Sequence, residues 1–471
     1  MMTWISFFLG FIASPIATRL FEPEQKGHID LFLNYAGLFA SICYLGLDQA
    51  FVRFFREPPG GADRKGMLTF CVGTSLAFAL VASAGLLLGW RSVSGAILDE
   101  PDMGVFVCLC VYNLCSVLYR FLSLCYRMEQ NARLYTIQGV LYVLVTRLAY
   151  LSVGFGSAKA KPAIVLLTVV MALFTIIFIV AQRKRFSLCR PSKPFVHEMT
   201  RFSAPLIPLA IMSWMNSSVA LPMLNGMIDA GAVGVYTSAL GLATTVNIVQ
   251  TGFNTYWAPY VYEHYQTDGS VRFYTVHRLM ACLLTGFGMT ATLLQALIFL
   301  LLGAKFRSSI VYFPFLFISP ICYCISETTG MGINIAKKTY WNTLLFAISA
   351  VVNIALCLWL IPVLDAAGAA IASAVSAVVA LGLRTLIGER YYKVLASWRY
   401  LSGSVGLMLA ASVVNYLLRA NGIVRYAILT ALYAIALYLF RNELKMLWQT
   451  IRQILGARRR RAQSTTGGEG K

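Results

Sequence analysis

Charged residues are scarce in this 471-residue chain. Only 12% of its residues are Asp, Glu, Lys or Arg, whereas 58% are apolar and the mean hydropathy is +0.70. A soluble protein carries about 25% charged residues, so this chain has too few to cover the surface of a soluble globule. The composition excludes a soluble enzyme, a disordered chain and a secreted disulfide scaffold, and it indicates a membrane protein.

Acidic residues are scarcer still, because 19 Asp and Glu stand against 39 Lys and Arg, for a net charge of +20. In a soluble protein such an excess suggests binding to nucleic acid. In a membrane protein, basic residues instead accumulate in the cytoplasmic loops. We therefore interpret the excess as a signal of topology and predict no nucleic-acid partner.

The chain also lacks the clusters that a metal, redox or nucleotide site needs. Ten of the 11 cysteines lie in apolar runs, and none of the four histidines is near the two Cys-x-Cys pairs. We predict no metal site, no cofactor and no catalytic residue. No glycine-rich nucleotide-binding loop occurs, so we expect the membrane potential or an ion gradient, rather than ATP, to drive any transport.

Long apolar runs are what the sequence does contain. A membrane-spanning helix needs about 20 predominantly apolar residues. On that criterion we predict an all-α polytopic membrane protein of about 14 transmembrane helices. The predicted spans are 2–18, 28–52, 66–90, 104–126, 134–154, 162–182, 203–224, 232–255, 279–302, 309–332, 341–361, 366–388, 400–418 and 424–440.

The distribution of basic residues predicts the orientation of these helices. If the N-terminus is cytoplasmic, 29 Lys and Arg lie on the inner side and 9 on the outer side, with Arg147 alone in mid-span. Because cytoplasmic loops are enriched in Lys and Arg, this ratio favours an even number of helices with both termini inside.

A basic connection divides the first twelve helices into six and six, which is typical of two-lobed transporters. We predict two pseudo-two-fold lobes, two appended helices and a disordered basic tail. The predicted boundaries are 1–182 for the N-lobe, 183–202 for a cytoplasmic linker, 203–388 for the C-lobe, 389–440 for the appended spans and 441–471 for the tail.

Two spans carry polar or small residues on one helical face, at spacings of three and four. In the second span these are Asp30, Asn34, Gly37, Ser41, Tyr44 and Asp48; in the eighth they are Thr237, Gly241, Thr244, Asn247, Thr251 and Asn254. Polar residues inside a membrane commonly face a cavity, so we predict that the two faces line one water-filled cleft between the lobes. The alternative is that they join packed helices.

Charged residues add two hypotheses. Arg147 faces the same cavity or extends its side chain to the outer membrane surface. Asp48 and Glu327 lie near helix C-termini, where the helix dipole disfavours an acid. They form part of an inner gate of ion pairs with Lys337 and neighbouring cations, or they pair locally within each lobe.

Five segments of the chain are distinctive. The most specific is GMGINIAKKTYWNTLLFAISAVVNIALCLWLIP at 330–362. The others are SPIATRLFEPEQKGHIDLFLNYAGLFASICYLGLDQAFVRFFRE at 14–57, GAVGVYTSA at 231–239, YWAPYVYEHY at 256–265 and GAAIAS at 368–373. In this order they resemble the polysaccharide-transporter flippases, or O-antigen translocases, of the multidrug/oligosaccharidyl-lipid/polysaccharide exporter superfamily.

The resemblance implies an alternating-access flippase that moves undecaprenyl-diphosphate-linked oligosaccharide units across the bacterial inner membrane for O-antigen, capsule or exopolysaccharide synthesis. It implies Arg19, Arg53 and Arg147 as cavity cations, and polysaccharide polymerase and glycosyltransferase machinery as partners. Many relatives end the seventh span with an Asp-Arg pair, whereas this chain reads NSSVALPMLNG at 216–226, without charge.

Three other functions remain open at this point. A peptidoglycan-precursor flippase shares the architecture, and a multidrug exporter belongs to the same superfamily. A membrane-embedded glycan polymerase or ligase would act on the same lipid carrier, but it normally needs a large outer loop with catalytic residues. The longest predicted outer connection, 91–103, carries no convincing catalytic set.

Overall fold

The computed structural model of the chain describes residues 2–59, 63–187, 192–267, 269–338, 340–449 and 452–453. Within these ranges the structure is helical and contains no strand, as predicted. Part of the predicted linker, 188–191, and most of the predicted tail, including its Arg cluster at 458–461, lie outside the described residues.

The first half of the chain forms twelve α-helices. They are α1 Met2–Leu20, α2 Pro23–Cys43, α3 Leu47–Phe54, α4 Arg64–Leu87, α5 Trp90–Leu98, α6 Met103–Met128, α7 Ala132–Gly154, α8 Ala160–Gln182, α9 Lys193–Ser203, α10 Leu206–Ser218, α11 Ala220–Met227 and α12 Ala230–Ala243.

The rest of the described chain forms eight more helices with defined bounds, and residues 441–449 are also helical. The eight are α13 Asn247–His264, α14 Gly269–Leu293, α15 Gln295–Phe299, α16 Phe313–Thr329, α17 Met331–Ile335, α18 Tyr340–Tyr391, α19 Arg399–Leu417 and α20 Gly422–Leu439. Three segments are 3₁₀ helices, namely Arg183–Arg185, Thr244–Val246 and Ala304–Val311.

Many of these helices are suited to a bilayer. Eight in the described ranges are long and apolar enough to cross a membrane, or up to 11 if each bent pair counts as one span. The chain is therefore a multi-pass membrane protein. The predicted number of about 14 spans and the orientation with both termini inside stay predictions.

Several predicted spans are bent rather than straight. The second is α2 followed by α3, which meet at 54°. Gly46 at this bend has φ +68°, and a Cβ there would lie 2.6 Å from the carbonyl oxygen of Ser203. A side chain is therefore excluded both by conformation and by space. The predicted eleventh and twelfth spans are the two arms of α18, which breaks at Asp365.

The linker predicted at 183–202 is partly structured, because α9 begins at Lys193. Ser192 caps this helix by accepting a hydrogen bond from the backbone N–H of Phe195. Phe195 and Met199, one turn apart, are fully buried in an apolar cluster with residues of α3, α4 and α6. The cap and the four-residue spacing are the signals that could have predicted this helix.

The chain separates into two compact units. The first contains Met1–Ile248, Phe299–Ser309 and Phe346–Ser373, and the second contains Val249–Ile298, Ile310–Leu345 and Ala374–Lys471. The first unit is built on three buried apolar clusters, among them one formed by α2, α5, α6 and α8. The second contains an aromatic cluster around Trp257 and Phe273. The predicted lobes and domain boundaries stay predictions.

Candidate substrate-binding site

A pocket of about 330 Å³ lies inside the first unit, between α1, α2, α7 and α12. We call it the polar pocket. The side chains that give it its polar character are Ser14, Lys26, Asp30, Arg147, Tyr150, Thr237 and Thr244.

A pair of glycines brings α2 and α12 together at this pocket. A Cβ on Gly27 would lie 1.7 Å from the carbonyl oxygen of Ala230, and a Cβ on Gly234 would lie 2.0 Å from that of Pro23. Real Cβ contacts are never this short, so the two backbones can approach this closely only because both positions are glycine. The close approach sets the distance between the polar side chains of the two helices.

Lys26, Asp30 and Thr237 form a hydrogen-bonded group across that contact. The Lys26 ammonium lies 2.5 Å from Asp30 Oδ2 and 3.1 Å from Thr237 Oγ1, and the Thr237 hydroxyl also donates to Asp30 Oδ2. Lys26 is only 8% exposed. The positive charge of Lys26 is therefore matched by the negative charge of Asp30, and this pair adds no net charge to the pocket.

Arg147 adds the charge that is not matched. Its Nη1 donates to the Tyr150 hydroxyl at 3.5 Å, and its guanidinium carbon lies 5.9 Å from the centre of the Tyr150 ring. No carboxylate in the described part of the chain lies within ion-pair distance of this guanidinium. The polar pocket thus contains two cations and one anion, and its net charge is positive.

The predicted cavity residues have different surroundings. Arg147 and Thr244 line the polar pocket. Tyr44 lines a second pocket of the same unit, further along α2. Arg19 is exposed at the end of α1 and donates to the Leu300 carbonyl at 3.3 Å, and Arg53 is exposed with its guanidinium 5.7 Å from the Phe54 ring centre. Neither of these two arginines lines either pocket.

The first predicted polar face is divided among several roles. Asp30 faces the polar pocket, but Asn34 donates to the Ser218 carbonyl at 3.1 Å and accepts from Trp214 Nε1 at 3.1 Å. Ser41 donates to the carbonyl of Leu38 in its own helix at 2.7 Å. Asn34 therefore joins α2 to α10, and Ser41 satisfies its hydroxyl locally, so the expected continuous polar face is interrupted.

The second predicted polar face is interrupted by the 3₁₀ helix Thr244–Val246. In a 3₁₀ helix, which has three residues per turn rather than 3.6, side chains at i and i+3 eclipse. Asn247 begins α13 and is exposed, and Thr251 and Asn254 belong to the second unit. That these three residues continue the face of α12 stays a prediction.

The predicted gate acids each pair inside their own unit. Asp48 is buried and accepts from Arg120 at 2.7 Å and 3.1 Å, in the first unit. Glu327 accepts from Arg384 at 2.9 Å, in the second. Lys337 is exposed in the turn before α18. The partners come from distant helices rather than from the cations nearby in sequence that we expected, so local pairing is the arrangement observed for both acids.

Lys26 was missed as a site residue, whereas Asp30 and Thr237 belong to the two polar faces that were predicted to line one cleft. Lys26 had been counted as an outer-side basic residue. The four-residue spacing of Lys26 and Asp30 on one helix was a usable signal, since such pairs face each other. The two polar faces predicted that Asp30 and Thr237 share a cleft, but only the packing of α2 against α12 brings Thr237 into hydrogen-bonding contact with the Lys26–Asp30 pair.

Solved structures with the same fold are membrane transporters. The chain aligns with the lipid II flippase MurJ in an inward closed conformation at a TM-score of 0.66 and 12% identity, over 96% of this chain and 98% of that one. It aligns with an inward-facing multidrug resistance MATE family transporter of the MOP superfamily at 0.53 and 16%, over 82% and 94%. A MATE protein in the straight conformation gives 0.52 and 18%, over 83% and 93%. The chain therefore has the fold seen in these transporter structures.

The family follows from the sequence of the first half. The model of the polysaccharide biosynthesis protein family matches residues 1–265, and the chain belongs to that family. No curated protein sequence matches the chain significantly. The family match agrees with the expected resemblance to polysaccharide proteins, and the fold is the one that the flippase and MATE transporter structures share.

Proposed function

We propose that the protein is a flippase for undecaprenyl-diphosphate-linked oligosaccharide units in the bacterial inner membrane. It serves the synthesis of O-antigen, capsule or exopolysaccharide by alternating access. A diphosphate and its sugars cannot cross hydrocarbon unaided, because each polar group would lose its hydration. The protein therefore offers the head group a polar path while the lipid tail stays in the bilayer.

The observation that carries this proposal is the unmatched guanidinium of Arg147 in the polar pocket. A cation at membrane depth without an acidic partner is costly, and an anionic ligand removes that cost. The planar guanidinium also binds phosphate oxygens through two parallel hydrogen bonds. Hydroxyl groups of Ser14, Thr244 and Tyr150 line the same pocket and provide further hydrogen-bonding groups.

The driving force we propose is the membrane potential or an ion gradient. Moving one charge across 100 mV is worth about 2.3 kcal/mol. We further propose that polysaccharide polymerase and glycosyltransferase enzymes act with the protein, because they produce and consume the lipid-linked unit.

A peptidoglycan-precursor flippase is the second candidate, since the alignment with a lipid II flippase covers nearly the whole of both chains. At 12% identity this likeness concerns the fold. The match to the polysaccharide biosynthesis family favours the first candidate. A multidrug exporter is less favoured, because a positively charged pocket repels cationic drugs.

The test is a flipping assay with the purified full-length protein in liposomes. Lipid-linked oligosaccharide extracted from the source cells is incorporated, and impermeant periodate oxidises the sugars that reach the outer leaflet. We expect oxidation to rise from about half to nearly all of the lipid when active protein is present. The second candidate is tested by adding an excess of lipid II, which would compete with the lipid-linked oligosaccharide for the protein. The multidrug exporter is tested by measuring efflux of ethidium.

Arg147→Ala is expected to reduce the flipping rate about 10- to 100-fold, because it removes a hydrogen bond to a charged group. Arg147→Lys is expected to retain part of the activity. The matched control is Arg419→Ala, since Arg419 also lies over a tyrosine, 5.4 Å from the Tyr416 ring, and lines neither pocket. Equal rates for Arg147→Ala and the wild type, or transport of lipid II alone, contradict the proposal.

A further inference from the structure

A second pocket of about 300 Å³ in the first unit is lined by four tyrosines, and we call it the tyrosine pocket. They are Tyr44, Tyr112, Tyr119 and Tyr142. The rings of Tyr119 and Tyr142 stack with centroids 4.3 Å apart, and the hydroxyls of Tyr112 and Tyr142 are 3.3 Å apart. These contacts hold the aromatic wall of the pocket in one arrangement.

The pocket has no net charge, unlike the polar pocket. Its one cation, Arg120, binds Asp48 through Nε at 3.1 Å and Nη2 at 2.7 Å, and lies 5.8 Å from the Tyr44 ring centre. Because the guanidinium is already neutralised, the pocket has no surplus charge for a phosphate. Its chemistry is that of aromatic faces and hydroxyl groups.

Two of the four hydroxyl groups, those of Tyr44 and Tyr119, form no hydrogen bond with any residue that the structure describes. A hydroxyl that is buried against hydrocarbon without a partner is costly, so a lipid chain is a poor occupant. A sugar ring fits, because its C–H face packs on the negative face of an aromatic ring while its own hydroxyls bind the phenol groups.

The two pockets are neighbours along one helix. Leu33 lines both, and α2 and α7 contribute residues to each. Asp30 in the polar pocket and Gly37 in the tyrosine pocket are seven residues apart on α2, or about 10 Å at a rise of 1.5 Å per residue. One extended ligand can therefore reach both pockets from the same side of α2.

We infer that the tyrosine pocket binds a sugar ring of the lipid-linked glycan whose diphosphate lies in the polar pocket. This inference rests on the proposed function. It assigns phosphate recognition to Arg147 and sugar recognition to Tyr119 and its neighbours, at separate places in one unit.

The test compares two probes on the full-length protein in lipid nanodiscs. One is undecaprenyl diphosphate, and the other is the same lipid carrying the oligosaccharide extracted from the source cells. Tyr119→Leu is expected to weaken binding of the glycan-bearing probe about tenfold and to leave the bare lipid unchanged, because stacking on an aromatic ring is lost. Tyr119→Phe keeps the ring and is expected to lose less than threefold. Tyr416→Leu, in α19, is the matched control.

A second variant fills the pocket without changing a tyrosine. A Cβ on Gly37 meets no atom within 4 Å, so Gly37→Leu extends into free space. Gly37→Leu is expected to weaken binding of the glycan-bearing probe and to leave binding of the bare lipid unchanged. If Tyr119→Leu does not fold, this variant tests the sugar site in its place.

The outcomes separate the two proposals. If Arg147→Ala weakens both probes and the pocket variants weaken neither, or weaken both equally, the sugar site is refuted while the proposed function stands. If neither probe binds the wild-type protein, the proposed function and the sugar site are both refuted.

Discussion

The polar pocket and the tyrosine pocket have similar volumes, about 330 and 300 Å³, and share two helices, yet their chemistry is opposite. In the polar pocket one of two cations lacks an acidic partner. In the tyrosine pocket the single cation is fully engaged by Asp48. The net charge of a pocket therefore depends on whether each basic residue has an acidic partner, and not only on how many basic residues lie near it.

Lys26→Met is expected to have the largest effect on the difference in charge between the two pockets. It leaves the partly buried Asp30 without its cation, which is expected to lower the free energy of unfolding by about 3 kcal/mol. It also changes the net charge of the polar pocket from positive to neutral, so binding of bare undecaprenyl diphosphate is expected to fall about tenfold. Thermal unfolding and binding in nanodiscs measure the two effects. Unchanged binding would contradict the role of pocket charge.

Gly27→Ala tests how the polar pocket is assembled. The new Cβ meets the Ala230 carbonyl, so α2 and α12 must separate, at a cost of about 2 kcal/mol. The control is Gly73→Ala in α4, where a Cβ meets no atom within 4 Å and a small gain in stability is expected. A shift of the unfolding midpoint in the same direction for both variants would refute the close glycine packing.

Arg120→Leu is the counterpart in the tyrosine pocket. It leaves Asp48, whose side chain is only 8% exposed, without its cation, so the expected loss of stability is about 3 kcal/mol, as for Lys26→Met. Binding of bare undecaprenyl diphosphate is expected to stay within twofold of the wild type. If Arg120→Leu weakened this binding as much as Lys26→Met does, the diphosphate and the sugar would not be bound by separate pockets.

The smallest effect is expected from Asp102→Asn, outside both pockets. Asp102 caps α6 through the backbone N–H of Val105, and its hydrogen bond from the Lys161 ammonium lowers the pKa of the carboxyl. Asn also caps helices, and the pair is largely exposed, so the cost is below about 1 kcal/mol.

The pH dependence of that cost has a defined sign. Because the folded-state pKa is lowered, the carboxylate stabilises the protein above the ordinary Asp pKa of about 3.9 and ceases to do so as the pH falls through the lowered value. The difference in unfolding midpoint between Asp102→Asn and the wild type is expected to be present at pH 7 and to disappear in acid. A difference that grows in acid would contradict the assigned ion pair.

Much of the fold was predictable, because the apolar length that a bilayer requires is a local property. Every predicted span corresponds to helical structure in the described residues, and the break of α18 at Asp365 falls between two predicted spans. The bends were harder to predict. The change of direction at Gly46 depends on a backbone conformation and on contact with a distant helix, and the 3₁₀ helix at Thr244 has no marked signal in the composition.

The candidate site was predictable only in part. Arg147 could be identified because a lone charge in an apolar run has few explanations. Asp48 and Glu327 were noted because both were expected near helix C-termini, although the structure places Asp48 in the first turn of α3. Their partners Arg120 and Arg384 could not be chosen from several basic residues. The four tyrosines of the second pocket come from three segments and have no common spacing.

The sequence by itself determined the class of the protein, because hydrophobicity, charge scarcity and helix length act residue by residue along the chain. Only the tertiary structure decided which polar groups meet. A glycine pair lets α2 and α12 touch, so Thr237 reaches the Lys26–Asp30 pair, and the packing leaves Arg147 without an acid in the described part of the chain. Such pairings depend on contacts between residues far apart in the chain, and these contacts exist only once the helices have packed.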